Sequence, residues 1–108
     1  MRALHSTTVK IGVDLPAAEE TGSKALPPWG DVRAFTLEAE AVGLDSIWMF
    51  DHFFNRREDG TTQSMYESWT ILSAVASITN RILIGSLVMC ASFRSPGLLA
   101  KMAARLTK

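Results

Sequence analysis

The sequence predicts an α/β fold in which strands and helices alternate along the chain and the strands pair in parallel. Three short apolar runs are each followed by a longer stretch whose apolar residues recur at helical spacing. The segments between the apolar runs do not join them as adjacent antiparallel strands. Repeated strand–helix units of this kind build a parallel sheet with right-handed crossovers.

The first unit shows both the two-residue period of a strand and the helical spacing of apolar residues. A strand is predicted over residues 9–13, where every second residue is branched and apolar, and it stops at Asp14. Residues 17–28 are rich in small and polar residues and predict a long loop. A helix follows, with Asp31 as its predicted N-cap and Gly43 as its C-terminal stop.

The second unit contains the shortest strand. A continuous apolar run predicts this strand over residues 47–50, and a polar loop is predicted over residues 53–63. The second helix is predicted to start near Ser64, because Ser64 and Glu67 match a capping box, and to end at Asn80.

The third unit is the most apolar. Residues 82–89 predict a strand buried on both faces, as in a parallel sheet. The third helix starts at Pro96 and is still in helical period at Lys108, with no glycine or proline to stop it. We therefore expect residues 1–108 to be the N-terminal fragment of a larger domain.

The length of each unit favours one α/β architecture over another. The 108 residues hold three units of about 36 residues each, so eight units would need roughly 290, which is normal for a complete (β/α)₈ barrel. A flavodoxin-like open sheet is the alternative. However, no Gly-x-Gly-x-x-Gly follows the first strand, and Leu15-Pro16 is a poor phosphate cradle. We expect a partial TIM barrel made of the first three βα units.

Composition excludes several classes of function. Eleven basic and eleven acidic residues give zero formal charge, so no nucleic-acid partner is expected. The longest apolar stretch, residues 82–91, is too short for a membrane span, and no signal-peptide core is visible. The single Cys90 excludes an internal disulfide, and no Cys/His cluster predicts a metal site. We expect a cytoplasmic protein.

Several sequence blocks together carry a family resemblance. Residues 38–53, EAEAVGLDSIWMFDHF, are similar to an "AEA-G-(F/L)-DS-(I/L)-W" run that ends in "DH". Residues 67–82, ESWTILSAVASITNRI, resemble "E-x-W-T-x-L…A-x-x-T-x-R-I", and residues 92–101, SFRSPGLLAK, resemble "R-x-P…LAK". In this order the blocks resemble the luciferase-like monooxygenase family, which includes the bacterial luciferase-like and F420-dependent oxidoreductases.

The resemblance implies an oxidoreductase that acts on a small-molecule substrate by hydride transfer or monooxygenation. The DHF and FR segments favour coenzyme F420, with FMN as the alternative. The fourth and later units of the family, including the loops that hold a cofactor phosphate, have no counterpart in these residues. A catalytically inactive fragment, a homo-oligomer or a half-barrel that needs a partner chain therefore stays open.

Chemistry in such barrels lies at the carboxyl ends of the strands, where Asp51 and His52 follow the second strand. His52 is the predicted catalytic residue, since an imidazole can donate to a reduced flavin ring or act as acid and base. Its plainer alternative is to cap the strand end. Asp51 is predicted to orient His52 or to bind backbone amides.

Four further residues are predicted to bind the coenzyme. The resemblance implies a non-proline cis peptide bond at Leu87–Val88, in a bulge behind the coenzyme ring. Asp14 ends the first strand, although it has a purely structural alternative. Arg94 is predicted to contact an anionic cofactor or substrate, or else to brace a loop through a carboxylate.

Overall fold

The computed structural model of the protein describes residues 8–20, 22, 23 and 25–106. The helices and strands follow the order β1 (Gly12–Asp14), α1 (Trp29–Ala41), β2 (Ser46–Met49), β3 (Phe54–Arg56), β4 (Thr62–Ser64), α2 (Ser68–Ile78), β5 (Leu83–Ser86) and α3 (Pro96–Leu106). A turn of 3₁₀ helix at Ala91–Phe93 precedes α3. The prediction that the third helix continues to Lys108 concerns residues 107 and 108, which lie outside the described residues.

The main sheet has the predicted parallel architecture. Its strands lie in the order β1-β2-β5, and both neighbouring pairs are parallel. Val13 of β1, Ile47 of β2 and Ile84 of β5 lie in register across the sheet. Each strand is followed by a helix, so the predicted succession of three βα units is confirmed.

One face of this sheet packs against α1 and α2 and forms the core. Ile47 and Met49 alternate along β2 and are fully buried on this face. Val32 of α1 and Val75 of α2 are also fully buried. The core is therefore the layer between the sheet and the first two helices.

The opposite face is covered in part by the indole ring of Trp48. A Cβ on Gly12 of β1 would lie 2.6 Å from the Trp48 Nε1 atom, and a Cβ on Gly85 of β5 would overlap the six-membered ring. The Nε1 atom donates to Ser46 Oγ at 2.8 Å. Glycine on both neighbouring strands therefore lets the ring lie across the sheet.

The amino-terminal edge of the sheet is held by Glu40 and Arg81. Glu40 Oε1 accepts from the backbone N–H groups of Asn80, Arg81 and Ile82, at 2.9, 2.5 and 3.0 Å. Arg81 Nη2 donates to the carbonyl oxygens of Glu40 and Leu44, at 2.8 and 2.9 Å. These bonds fix the end of α1 to the start of β5.

The connection between β2 and α2 contains a hairpin, so the prediction of a plain polar loop over residues 53–63 is wrong. β3 and β4 pair antiparallel, and Gly60 N donates to Arg57 O at 3.0 Å to close the turn. Gly60 has a φ of 82°, which glycine adopts without strain. Asp59 Oδ1 accepts from Thr61 N at 2.8 Å, so the turn residues supply their own stabilising bond.

Two predicted helix caps are also corrected. The N-cap of α1 is Pro28, and Asp31 lies in the first turn, where its charge favours the helix dipole. The N-cap of α2 is Glu67, whose carboxylate accepts from Trp69 N and Thr70 N. The Ser64–Glu67 capping box is therefore wrong, because the backbone of Ser64 is engaged in β4. Gly43, with a φ of 90°, follows the end of α1 as predicted.

The outer strands are shorter than the apolar runs that predicted them. β1 spans Gly12–Asp14 rather than 9–13; just before it, Ile11 N donates to the Asp45 carboxylate and Ile11 O accepts from Asp45 N. β5 spans Leu83–Ser86 rather than 82–89. Leu87 N donates to Met49 O at 2.8 Å, and the chain then leaves the sheet at the Leu87–Val88 bond.

Candidate functional site

An ion pair between Asp51 and Arg94 lies at the carboxyl ends of β2 and β5. Arg94 Nη1 donates to Asp51 Oδ2 at 2.6 Å, and Nη2 donates to Oδ1 at 3.0 Å, so the pair is bidentate. The side chains are 1% exposed for Asp51 and 8% for Arg94. Bidentate geometry at this depth fixes both side chains in one orientation.

Two further groups join this pair. Arg94 Nη2 also donates to Glu67 Oε1. Asp51 Oδ2 accepts from the backbone N–H of Cys90 at 2.9 Å. We call Asp51, Glu67 and Arg94 the carboxylate–arginine cluster; it connects the end of β2, the start of α2 and the segment that follows β5.

The ionisation of the cluster follows from these contacts. The pKa of Asp51 lies below its ordinary value because Arg94 and the Cys90 amide donate to the carboxylate, against the opposing effect of burial. Burial is the largest single influence on Glu67 and raises its pKa, but the hydrogen bonds from Thr70, Arg94 and Trp69 together lower that pKa to about 2. The pKa of Arg94 is raised, first by Asp51 and then by Glu67. All three groups are therefore charged at neutral pH.

His52 lies outside the carboxylate–arginine cluster. Its ring is exposed and contacts the ring of Phe50, with 5.6 Å between centroids and a tilt of 45°. The oxygens of Asp51 are bonded to Arg94 and Cys90 rather than to His52. Of the two roles predicted for Asp51, the structure shows the bond to a backbone amide.

A cavity of about 330 Å³ lies beside His52, between the hairpin and the loop after β1. We call it the hairpin cavity. It is lined by Ala18, Phe50, His52, Asn55, Gln63 and Met65. Its position at the carboxyl end of β2 is the one that binding sites occupy in parallel α/β folds.

The remaining predicted residues lie at the same end of the sheet. The Leu87–Val88 peptide bond is cis, and the two side chains are 59% and 75% exposed. Asp14 is exposed, and it lies in register with Trp48 on the face away from the core. The guanidinium of Arg94 is engaged by Asp51 and Glu67, which is the loop-bracing contact that the sequence left open.

Sequence reasoning missed three residues of this region. Glu67 was assigned only to helix capping, and its bond to Arg94 spans 27 positions of sequence. Asn55 and Gln63 were assigned to a loop, yet they line the hairpin cavity as register partners of β3 and β4. The Asp59-Gly60 dipeptide between them is a hairpin signal that would have indicated this pairing.

Two other classes of site are not found in the described part of the chain. No group of three or more His, Cys, Asp or Glu side chains there is placed to hold a metal ion. None of the helices there is long and apolar enough to cross a membrane.

The chain is similar in sequence to known proteins. The family model for luciferase-like monooxygenases matches residues 1–108. The chain is 36% identical over 94 residues to an F420-dependent glucose-6-phosphate dehydrogenase of Amycolatopsis mediterranei, a match that covers 86% of this chain and 26% of the relative. It is 33% identical over 95 residues to the protein of the same description from Kribbella flavida, covering 87% and 26%.

A solved structure supports the fold independently. The chain superposes with a TM-score of 0.64 and 22% identity on an F420-dependent secondary alcohol dehydrogenase in complex with an F420-acetone adduct, covering 86% of this chain and 26% of that one. The predicted α/β partial-barrel fold is confirmed by this likeness. The chain spans about a quarter of the length of each of these proteins.

Proposed function

Since the chain belongs to the luciferase-like monooxygenase family, we propose that it is the N-terminal part of an oxidoreductase that uses coenzyme F420 on a small-molecule substrate. The relatives it matches at 36% and 33% identity are described as F420-dependent dehydrogenases, which supports F420 over FMN. The domain assignment, with residues 1–108 as the N-terminal portion of a barrel, is part of the same proposal.

The observation that carries this proposal is the placement of His52. It is an exposed imidazole at the carboxyl end of a parallel strand, beside a cavity, and its neighbour Asp51 is anchored by Arg94. A group held in this way can donate a hydrogen bond or move a proton at a ring nitrogen. We assign His52 as the catalytic residue, while Asp51, through its bonds to Arg94 and the Cys90 amide, anchors the backbone just before it.

The residues at the end of β5 fit a planar coenzyme ring. Leu87 and Val88 present exposed apolar side chains, and the bound amide of Cys90 holds this segment against the end of β2. Apolar walls with a few fixed polar groups are the usual lining of cofactor sites. When bound, F420 would supply the hydride chemistry, while Leu87, Val88 and Asp14 would orient it.

Fluorescence titration tests this proposal. Oxidised F420 and FMN are added separately to the chain, and a saturable change with F420 at lower concentration than with FMN is expected. His52→Ala should weaken or abolish the change, whereas Thr62→Ala, on the far side of the hairpin, should leave it unaltered. No saturable change with either compound contradicts the enzymatic function for this chain, and tighter binding of FMN contradicts the assignment of F420.

The exposed edge of β5 favours a second candidate function. In it, the chain is active only when another part of a barrel covers this edge. Leu83 is 69% exposed, and β5 has a neighbour on one side only in the described sheet. An open apolar edge promotes association. Size-exclusion chromatography is expected to show oligomers, and a monomer that unfolds cooperatively contradicts this candidate.

A further inference from the structure

The hairpin cavity has a wall that is fixed by main-chain bonds on both sides. β3 pairs with β4, and Met65, the residue after β4, forms an antiparallel bridge with Ala18 in the loop after β1. Glu19 N donates to Ser64 O at 3.0 Å, and Tyr66 N donates to Ala17 O at 2.9 Å. The hairpin is therefore attached to the loop after β1 where its second strand ends.

Two side-chain amides project together from this wall. Asn55 and Gln63 are register partners, so their side chains lie on the same face of the hairpin and both line the cavity. Gln63 Nε2 donates to Glu19 O at 2.7 Å, which orients the amide and leaves its oxygen as an acceptor. Within the described residues the Asn55 amide has no protein partner, so it can donate and accept.

Among the described residues, the cavity lining combines these amides with apolar side chains. Phe50, Ala18 and Met65 supply the apolar surface, and His52 is the one titratable side chain of that described lining. Nearby, Arg57 and Glu19 pair with each other, with 3.7 Å between Nη2 and Oε2. Phosphate and carboxylate groups are normally bound by arginine or lysine, so this lining suits an uncharged polar group.

We propose that the hairpin cavity binds an uncharged, hydroxyl-bearing part of the substrate, and that Asn55 and Gln63 determine this preference. The proposal deepens the proposed function and rests on it for the role of the bound molecule as substrate. The amides lie beside His52, so a hydroxyl held by them is presented to the imidazole at the carboxyl end of β2.

The test uses the ¹⁵N-labelled chain without coenzyme, so that a failure of F420 binding does not affect the result. The side-chain NH₂ signals of Asn55 and Gln63 are followed while trans-1,2-cyclohexanediol or cyclohexanecarboxylate is added. We expect saturable movement with the diol, and affinity for the carboxylate at least about fivefold weaker, as for the loss of one neutral hydrogen bond.

Variants connect the signal to the residue. Asn55→Leu and Asn55→Ala should each weaken diol binding about fivefold. Thr62→Val is the matched control, because Thr62 lies on the opposite face of the same hairpin, and it should leave the affinity unchanged. The proposal is overturned by static amide signals, by equal affinity for the carboxylate, or by both Asn55 variants binding like the unaltered chain.

Discussion

Arg94→Met is the substitution that tests the carboxylate–arginine cluster most severely. Methionine fills much of the space of the arginine stem but donates no hydrogen bond, so Asp51, 1% exposed at its side chain, keeps only the bond from Cys90. Removing one partner of a buried ion pair costs about 3–5 kcal/mol. A domain of this size has a total stability of roughly 5–15 kcal/mol, so the loss is a large fraction of it.

The loss should depend on pH in a defined direction. In the native chain the pKa of Asp51 is lowered, so its contribution is present above the ordinary carboxyl pKa and is lost as the pH falls. In the variant, burial without Arg94 acts to raise the Asp51 pKa, which favours protonation. The difference in stability between the two proteins should therefore be largest near pH 7 and should shrink below about pH 4.

Urea unfolding followed by tryptophan fluorescence measures both the loss of stability and its dependence on pH. Arg33→Met, on the exposed side of α1, is the control and should change stability by less than about 0.5 kcal/mol. A double-mutant cycle with Asp51→Asn should yield coupling of roughly 2–3 kcal/mol. A loss below about 1 kcal/mol for Arg94→Met, or a loss that does not shrink in acid, would show that Arg94 does not stabilise the fold through the Asp51 carboxylate.

Three further predictions concern stability. Glu40→Ala leaves three backbone N–H groups without their acceptor and should cost about 1–3 kcal/mol by urea unfolding; a cost near zero would show that water replaces the carboxylate. The pKa values of Glu40 and Glu67 are both lowered from 4.5 to about 2, so acid titration should show stability falling between those values, and a flat profile there would contradict these shifts. Gly85→Ala should cost about 1–3 kcal/mol because its Cβ overlaps the Trp48 ring, whereas the matched Gly97→Ala, in open space, should be close to neutral.

Local periodicity was sufficient to predict the main sheet and its helices. The apolar residues of α1 recur at spacings of three and four, and Gly43 ends the helix as its position predicted. β2 spans Ser46–Met49, and each end lies within one residue of the predicted 47–50. These helices and strands depend on contacts between residues close in sequence or on the burial of one face. Both causes produce a spacing of apolar residues that is visible in a single sequence.

The site depended on contacts that no local pattern displays. Arg94 meets Asp51 across 43 positions and Glu67 across 27, so a single sequence offers no signal for either contact. The hairpin was missed for a different reason: all three residues of β3 are exposed, so no apolar alternation marks the strand, and the Asp59-Gly60 turn signal is its one local indication. The capping box was wrong at Ser64, because that pattern considers four consecutive residues and ignores the competing strand pairing of Ser64; Glu67 does cap α2, as its N-cap.

In the proposed function, His52 and the end of β5 form one surface for the F420 ring. Addition of F420 to the ¹⁵N-labelled chain tests it most directly, because backbone signals report each residue separately. We expect saturable movement of the His52, Leu87 and Val88 amide signals, with the signal of the buried Val32 in α1 unmoved. Movement spread evenly over the chain, or none at the strand ends, would contradict it.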